Sequence, residues 1–448
     1  MSKSLVSIVR YEKPGESVRK AVEMAKGLDH LPNKASVYIK PNIVAWYPAG
    51  PFPKYGVITT SRVIEDVVIL LKEQGIDDIT IGEGMSSEHA YTTLGYYELN
   101  KKYGVKVKNG FDSEMEAVDL GDGVVLNFSA SFIHSDFVVT IPAMKCHNQT
   151  VISLGIKNLK GMIDANSRKI CHNADLNRDL HFHVARLADK LPPTLNVIDG
   201  IYTLEKGPSL DGRMRRSNVL VASSDVLSAD MVGAKILGHD PSDVPHLVHA
   251  AKNRNRPHDL SDVEIVGEKI EDVASFHKFD FEYIEDENGC MPEALHKSGV
   301  KGLYYRKFDS TMCTSCSGMN GTFLNFFRNF YNPEKPYDRV EVLSGKIMEP
   351  TPGMNYTVLF GKCQVDNNEN HPNIKEAILI KGCPPQMQLL SKGMAKLGIN
   401  MPEGAMGAGR PSRRDQAAGP PPGGGIPHPY MSRYEGNPEF EESFFRVT

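Results

Sequence analysis

One tryptophan in 448 residues, a net charge of only −4 and no apolar run approaching the length of a membrane helix mark what this chain has little of. With 51 basic side chains set against 55 acidic ones, no global field draws nucleic acid or an anionic bilayer, so neither partner is expected. The opening residues, MSKSLVSIVRYEKPGES, reach charged side chains after a short mixed run and lack the apolar core and small-residue cleavage site of a secretory signal. No stretch is long enough to span a bilayer. No strand pattern is followed by Gly-x-Gly-x-x-Gly and no Walker loop occurs, which disfavours a Rossmann NAD site and a P-loop NTPase. There is no internal repeat. A cytoplasmic setting is expected, where thiols stay reduced and the seven cysteines, an odd number, serve as ligands, nucleophiles or core residues rather than staples.

What is present is ample for two or three domains, so folding requires neither a cluster nor disulfides. Short apolar runs alternate with helical patterns over residues 1–270. Buried-strand candidates are Ser36–Ile39, Ile79–Gly82, Phe137–Ile141, Thr194–Ile198, Asn218–Val221 and Val263–Val266. Helices are predicted over Ser61–Gln74 and Val226–Leu237, the second stopped by Gly238. That rhythm predicts an α/β fold, a mostly parallel sheet flanked by helices. The stretch FHKFDFEYIEDENGC reads as a linker into a smaller C-terminal module, residues 271–400, that bears cysteines. Residues 401–448 form an irregular Pro/Gly-rich tail that cannot bury a core, although its last aromatics suit docking on the body or on a second copy of the chain.

Cys313 and Cys316, in TMCTSCSG, stand two residues apart on a turn-rich segment, the spacing at which two thiolates face one metal centre. Cys363 in LFGKC and Cys383 in LIKGCPP each end an apolar run that reads as a strand, which delivers them to one site from neighbouring elements. Zinc ribbons usually supply two doublets, and the spread second pair favours an iron-sulfur cluster, expected to be 4Fe-4S, over structural zinc, which stays the alternative. Proline directly after Cys383 matches the Cys-Pro ending of ferredoxin-type motifs, though the spacing is not the bacterial one. Cys146 and Cys171 sit beside histidines and read as small buried thiols before they read as ligands or nucleophiles. Cys290 has no chemical neighbour in sequence.

Polar residues gather where the predicted strands end, the place at which open α/β sheets bind ligands. Lys40 and Asn42 close the first. Thr59 and Thr60 precede the helix at Ser61, either as a simple N-cap or as part of an anion site at the helix N-terminus. Glu83 lies between two glycines that let backbone approach a ligand. The run IPAMKCHNQTVISLGIKNLKGMID brings Lys145, His147, Lys157, Asn158 and Lys160 together; an unpaired Lys157 inside apolar sequence would be costly, so an anion or carboxylate is expected beside it. A helix from about Asn177 would set His181 and Ala185 on one face and His183 elsewhere, spacing that suits acid/base work or anion contact better than a helical metal pair. Asp199-Gly200 reads as following a strand, and Asp225 as a helix cap.

The segments KPNIV, GVITTSRVIEDVVILL, DITIGEG, Lys145 and His147 ahead of SLGIKNLKG, NVIDGI, and NVLVASSDVLSADMVGAKILG occur in an order that resembles the family called domain of unknown function 362, over roughly Ser36–Glu268. Cys146 departs from it, since a threonine or another small residue is more usual there. The resemblance implies a redox setting and an anionic small ligand: many members carry ferredoxin-like or other cysteine clusters, and the family is distantly similar to the ligand-binding domain of nickel-pincer lactate racemase. The expected function is an iron-sulfur oxidoreductase that meets a redox partner protein and passes electrons to an anionic ligand or cofactor. In it Lys40, Asn42, Thr59, Thr60, Lys145, Lys157, Asn158 and Lys160 bind, while His147, His181 and Glu83 do proton chemistry. The alternatives are a non-catalytic electron-transfer or scaffold subunit and a zinc-stabilised binding protein.

Overall fold

The computed structural model describes residues 3–44, 55–84, 88–110, 113–207, 212–386 and 388–399. The chain divides into two compact units. Of the described residues, the first takes those up to Ser167 and His181–Asp280; the second takes Arg168–Leu180 and residues 281–399. The division expected after residue 270 thus falls after Asp280, because His277 is pinned to the first unit: its N–H donates to Leu237 O at 3.0 Å and its ring meets Thr203 Oγ1 at 2.7 Å. The expected tail, 401–448, lies outside the described residues.

In the first unit the strands are β1 (Ser4–Arg10), β2 (Val37–Pro41), β3 (Ile79–Glu83), β4 (Lys106–Asn109), β5 (Met115–Asp119), β6 (Val125–Ser129), β7 (Phe137–Ile141), β8 (Ala143–His147), β9 (Val151–Ser153), β10 (Thr194–Glu205), β11 (Arg213–Ser223) and β12 (Val263–Gly267). Their order is β12-β1-β11-β10-β7-β2-β3-β4, with β8 on β10 and β9 on β8, while β5 and β6 pair apart. Every neighbour from β10 to β4 is parallel, and β11 runs antiparallel between β1 and β10. The mostly parallel sheet with flanking helices is therefore observed. On the helix Ser61–Glu73, Val63, Ile64, Val67, Val68, Leu70 and Leu71 are buried, the repeat that a helix covering a sheet requires. The helix Val226–Ile236 ends at Gly238, whose φ of 81° a side chain would resist.

β10 does not stop before Asp199. It continues to Glu205, with an irregular register at Gly200. A Cβ at Gly200 would lie 2.7 Å from Val219 Cγ1, so the glycine permits β11 to approach rather than making a turn.

The second unit has its own sheet, β13 (Tyr283–Asp286), β14 (Gly289–Pro292), β15 (Leu303–Tyr304), β16 (Val340–Leu343), β17 (Tyr356–Phe360) and β18 (Ala377–Ile380), lying in sequence order. Only the β13/β14 hairpin is antiparallel; the others are parallel throughout. The presumed linker is thus divided: its start is pinned to the first unit and its end forms this hairpin. Phe323 and Phe327, on the helix Thr314–Asn329, are fully buried, and Phe323 stacks on Phe360 of β17 at 4.6 Å. Each such ring contributes roughly 1.5–3 kcal/mol by leaving water.

Candidate functional site

In the first unit the parallel strands β2, β3 and β7 end on one edge, and their polar side chains bind each other. Lys40, fully buried, donates to Glu83 Oε2 at 2.6 Å, to Pro41 O and to Asn158 Oδ1 at 3.1 Å. Glu83 also accepts from the N–H of Gly84 at 2.9 Å. Asn158 donates back to Lys40 O and to Thr140 Oγ1, and Asn42 reaches Asn158 Oδ1. Lys40, expected to bind a ligand, and Glu83, expected to do proton chemistry, therefore answer one another inside the protein, as buried ions must.

The helix N-terminus at Ser61 is also answered from within. Thr60 N–H donates to Asp199 Oδ2 at 2.7 Å, and Thr59 Oγ1 accepts from Asn42 N–H at 2.8 Å while donating to Ile141 O. Burial pushes the Asp199 carboxyl up, against the pull of the Thr60 and Ile201 N–H groups. Asp230 does the same for the helix Gly155–Asn158, accepting from Gly155 and Ile156 N–H at 2.7 and 2.8 Å. Its carboxyl is pushed up to about 7 by burial. Sequence reasoning placed Asp225 correctly as a cap, on Ser228 N–H at 2.6 Å, but gave no signal that Asp230 caps a helix far upstream.

Lys145 differs from Lys40. Its ammonium donates to Asn42 Oδ1 at 2.6 Å and Val57 O at 2.7 Å, both uncharged acceptors. Burial brings its pKa down to about 7, Glu83 opposing and Lys40 reinforcing the fall. His147, at the end of β8, accepts from Gln149 N–H on Nδ1 at 3.1 Å. Lys157 and Lys160 are half-buried on the turns that follow.

The segment before His181 is not one helix. A 3-10 turn, Leu176–Arg178, is capped by Asp175, and a short helix Leu180–Val184 follows. His181 still lies one turn from Ala185, whose N–H donates to His181 O. Its ring lies parallel to that of His246, 5.9 Å away, a fully buried histidine that no motif announced. Burial pushes His246 well below the usual imidazole range, and the nearby His181 and Lys157 add to this.

Cys146 is a packed thiol, its Sγ against His277 O at 3.3 Å and His239 Nε2 at 3.6 Å, and burial pushes it up, away from thiolate chemistry.

In the second unit the cysteines meet the edge where the parallel strands end. β17 and β18 pair in register, Phe360 with Ile380, and Cys363 and Cys383 each follow three residues later (363 − 360 and 383 − 380). Cys363 lies in the first turn of the helix Lys362–Asn368 that follows β17, and Cys383 in the turn that follows β18, so the two come after neighbouring strand ends. Cys313 caps the helix Thr314–Asn329 and Cys316 lies in its first turn, so the doublet sits on a helix N-terminus, not on the turn-rich segment expected. Cys316 carries the charge influence of Cys313, Cys363 and Cys383, and Cys363 that of Cys313 and Cys383, so Cys316 and Cys363 each lie within electrostatic reach of the other three thiols. The Cys313 thiol is drawn down to about 5, first by its bond with Cys316, then by the Ser315 and Cys316 N–H groups, with Lys346 adding. Cys316 is pushed up in turn, because one proton suffices for the pair.

The donor set fits a thiolate-bound group. A Cβ on Gly361, at φ 94°, would stand 3.0 Å from Cys316 Sγ, so the glycine keeps room beside the sulfur. Among the described residues no three His, Cys, Asp or Glu side chains close on one point in the way that the ligands of a single ion must. A tetrahedral zinc would need its sulfurs within ~3.8 Å of each other, given Zn–S near 2.3 Å. A cluster asks less, since each thiolate binds a different iron.

Comparison with known proteins adds the following. The chain is 28% identical over 247 residues to the thylakoid-associated protein sll1697 of Synechocystis sp. (strain ATCC 27184 / PCC 6803 / Kazusa), covering 53% of this chain and 74% of that protein. Among solved structures it is similar to the lactate racemase apoprotein from Thermoanaerobacterium thermosaccharolyticum, with 17% identity and a TM-score of 0.32, over 53% of this chain and 57% of that one. That likeness is too distant to inform the site. Described residues form no helix long and apolar enough to cross a membrane. Residues 37–235, which hold every cleft residue predicted from sequence, match the family described as domain of unknown function (DUF362).

Proposed function

We propose that the chain is an iron-sulfur redox protein, with a cluster of the 4Fe-4S type on Cys313, Cys316, Cys363 and Cys383, and that it works as an oxidoreductase on an anionic ligand or cofactor at the strand-end edge of the first unit. The carrying observation is that thiols from three separate segments share one sheet edge within mutual electrostatic reach. When bound, the cluster supplies one-electron transfer. The chain's own groups do the rest. Cys313, already drawn toward thiolate, offers the first ligand, and the N–H groups of its helix support that charge. In the first unit Lys157 and Lys160 hold the anionic group. Lys145, poised near neutrality, takes or returns a proton, with His147 and His181 as further carriers. Lys40, Glu83, Asn42 and Asn158 fix the edge on which these act, with Thr59 and Thr60 bound into the same edge. The proposed setting is the cytoplasm, with a redox partner protein as electron source.

Anaerobic purification of the full chain followed by iron, sulfide and zinc analysis tests this reading. Iron near four per chain with matching sulfide, and absorbance bleached by dithionite, is expected. Stoichiometric zinc without sulfide would replace the redox reading with the structural one.

A further inference from the structure

His246 is fully buried, and no donor or acceptor among the described residues meets either of its ring nitrogens. It stands in the helix Pro245–Asn253, directly after the proline that opens it. That helix and the helix Gly155–Asn158, which carries Lys157, both pack against Val226–Ile236. A further element closes the group: the helix Leu180–Val184 lays the His181 ring nearly parallel to that of His246, 5.9 Å away, and sets Phe182 edge-on to His249 at 6.3 Å. His246 and His249, three residues apart, thus turn one face of their helix toward this segment. The groups that act on the charge of His246 are His181, Lys157 and His249, and among the described residues no carboxylate joins them. Elsewhere in the unit a buried cation is met from within, as Lys40 is by Glu83. Here basic side chains surround a buried imidazole, and a polar ring left unmatched in the interior is costly. The partner that would suit this group is a negative acceptor brought from outside the fold.

We propose that His246 contacts the ligand of the first unit, donating a ring N–H to the oxyanion, a carboxylate or a phosphoryl group, that Lys157 holds. This rests on the reading of Lys157 as an anion-holding residue. Burial first, and then His181, Lys157 and His249, keep the ring neutral in the free protein. An anion against one nitrogen favours the imidazolium, so the other nitrogen takes a proton from solution as the ligand binds. No other bond forms or breaks, and binding strengthens as pH falls.

The test is calorimetric titration of the full chain with inorganic phosphate and with oxalate, each in two buffers of different ionisation heat so that proton uptake is read alongside affinity. Wild type should bind with proton uptake, and the anion that binds more tightly separates a phosphoryl from a carboxylate ligand. Lys157→Ala should bind neither, which places the anion at this edge. His246→Phe keeps a ring without nitrogens and should bind about tenfold more weakly, the loss of one hydrogen bond to a charged group, while the free variant unfolds at no lower temperature than wild type. His246→Gln keeps a donor but cannot take the proton, so it should bind more tightly than the phenylalanine variant with the uptake gone. Wild-type affinity in His246→Phe overturns the assignment. So does proton uptake that persists in His246→Gln, which decides the matter if the phenylalanine variant does not fold. If wild type binds neither anion, or Lys157→Ala binds as wild type does, the anion-holding role of Lys157 fails and this inference falls with it; if only the histidine variants match wild type, that role stands and His246 is a core residue.

Discussion

Both units gather polar chemistry where parallel strands end, yet they settle it in opposite ways. In the first, charge meets charge inside the fold: Lys40 bonds to Glu83, Asp199 answers the helix at Ser61, and Asp230 answers the helix at Gly155. In the second, thiols from three segments gather after neighbouring strand ends, with Cys316 and Cys363 each in reach of the other three. A network whose buried charges each find partners within the fold sets geometry first, because buried polar groups left unmatched are costly. Thiols that meet chiefly one another form a different kind of set, one whose donors suit a shared soft ligand. The chemistry expected at both edges from sequence is therefore argued more strongly for the second, and in the first it narrows to Lys145 and the half-buried Lys157 and Lys160.

The largest effect should come from the second unit. Cys383→Ser removes a thiol from the shared edge, and bound iron per chain should fall to a small fraction of wild type, while Cys146→Ser, which alters a packed thiol in the other unit, keeps it. Equal iron in both variants would break the contrast between the two edges. Next in size is Glu83→Gln, which leaves the Lys40 ammonium buried without its carboxylate. Breaking such a pair costs about 3–5 kcal/mol, and urea unfolding measures it. Pairing the change with Lys40→Met should recover much of that loss, because no uncompensated charge then remains. A single variant as stable as wild type would mean that the edge is not organised around this pair.

Much of the scaffold could be read from sequence because its signals are local. The repeat of apolar residues after Ser61 and the glycine after Leu237 mark helices by themselves, and Cys363 and Cys383 stood out as ends of apolar runs, which β17 and β18 are. What was hidden depends on distant partners. Asp199-Gly200 looks like a strand end, yet β10 runs through it since Gly200 makes room for Val219. Gly318 and Gly321 disguise the helix after Cys313, which forms nonetheless because Phe323 and Phe327 are buried against the sheet. Nothing near Asp230 announces a helix at Gly155, whose N-terminus it caps from the helix Val226–Ile236.

Two smaller effects sharpen the account of the first edge. Gly161 packs against its central ion pair: a Cβ there would stand 2.2 Å from Glu83 Oε1 and 2.7 Å from Lys40 Cε. Neither side chain is free to withdraw, since each is fixed by further bonds, so Gly161→Ala should lower stability by about 1–3 kcal/mol in urea unfolding. A cost near zero would show that the pair has slack.

The smallest and most specific effect concerns Lys145. Its pKa falls from 10.5 in the open chain to about 7 in the fold, so between those values the unfolded chain holds a proton that the folded chain has released. Stability must then rise with pH across that window, by up to about 1.4 kcal/mol per pH unit, and the benefit is lost as pH falls through the folded value. Lys145→Met carries no such proton, and its unfolding free energy should lack this rise between the two ends of the window. A rise that persists in Lys145→Met would assign the released proton to another group and remove Lys145 as the neutral amine of the edge.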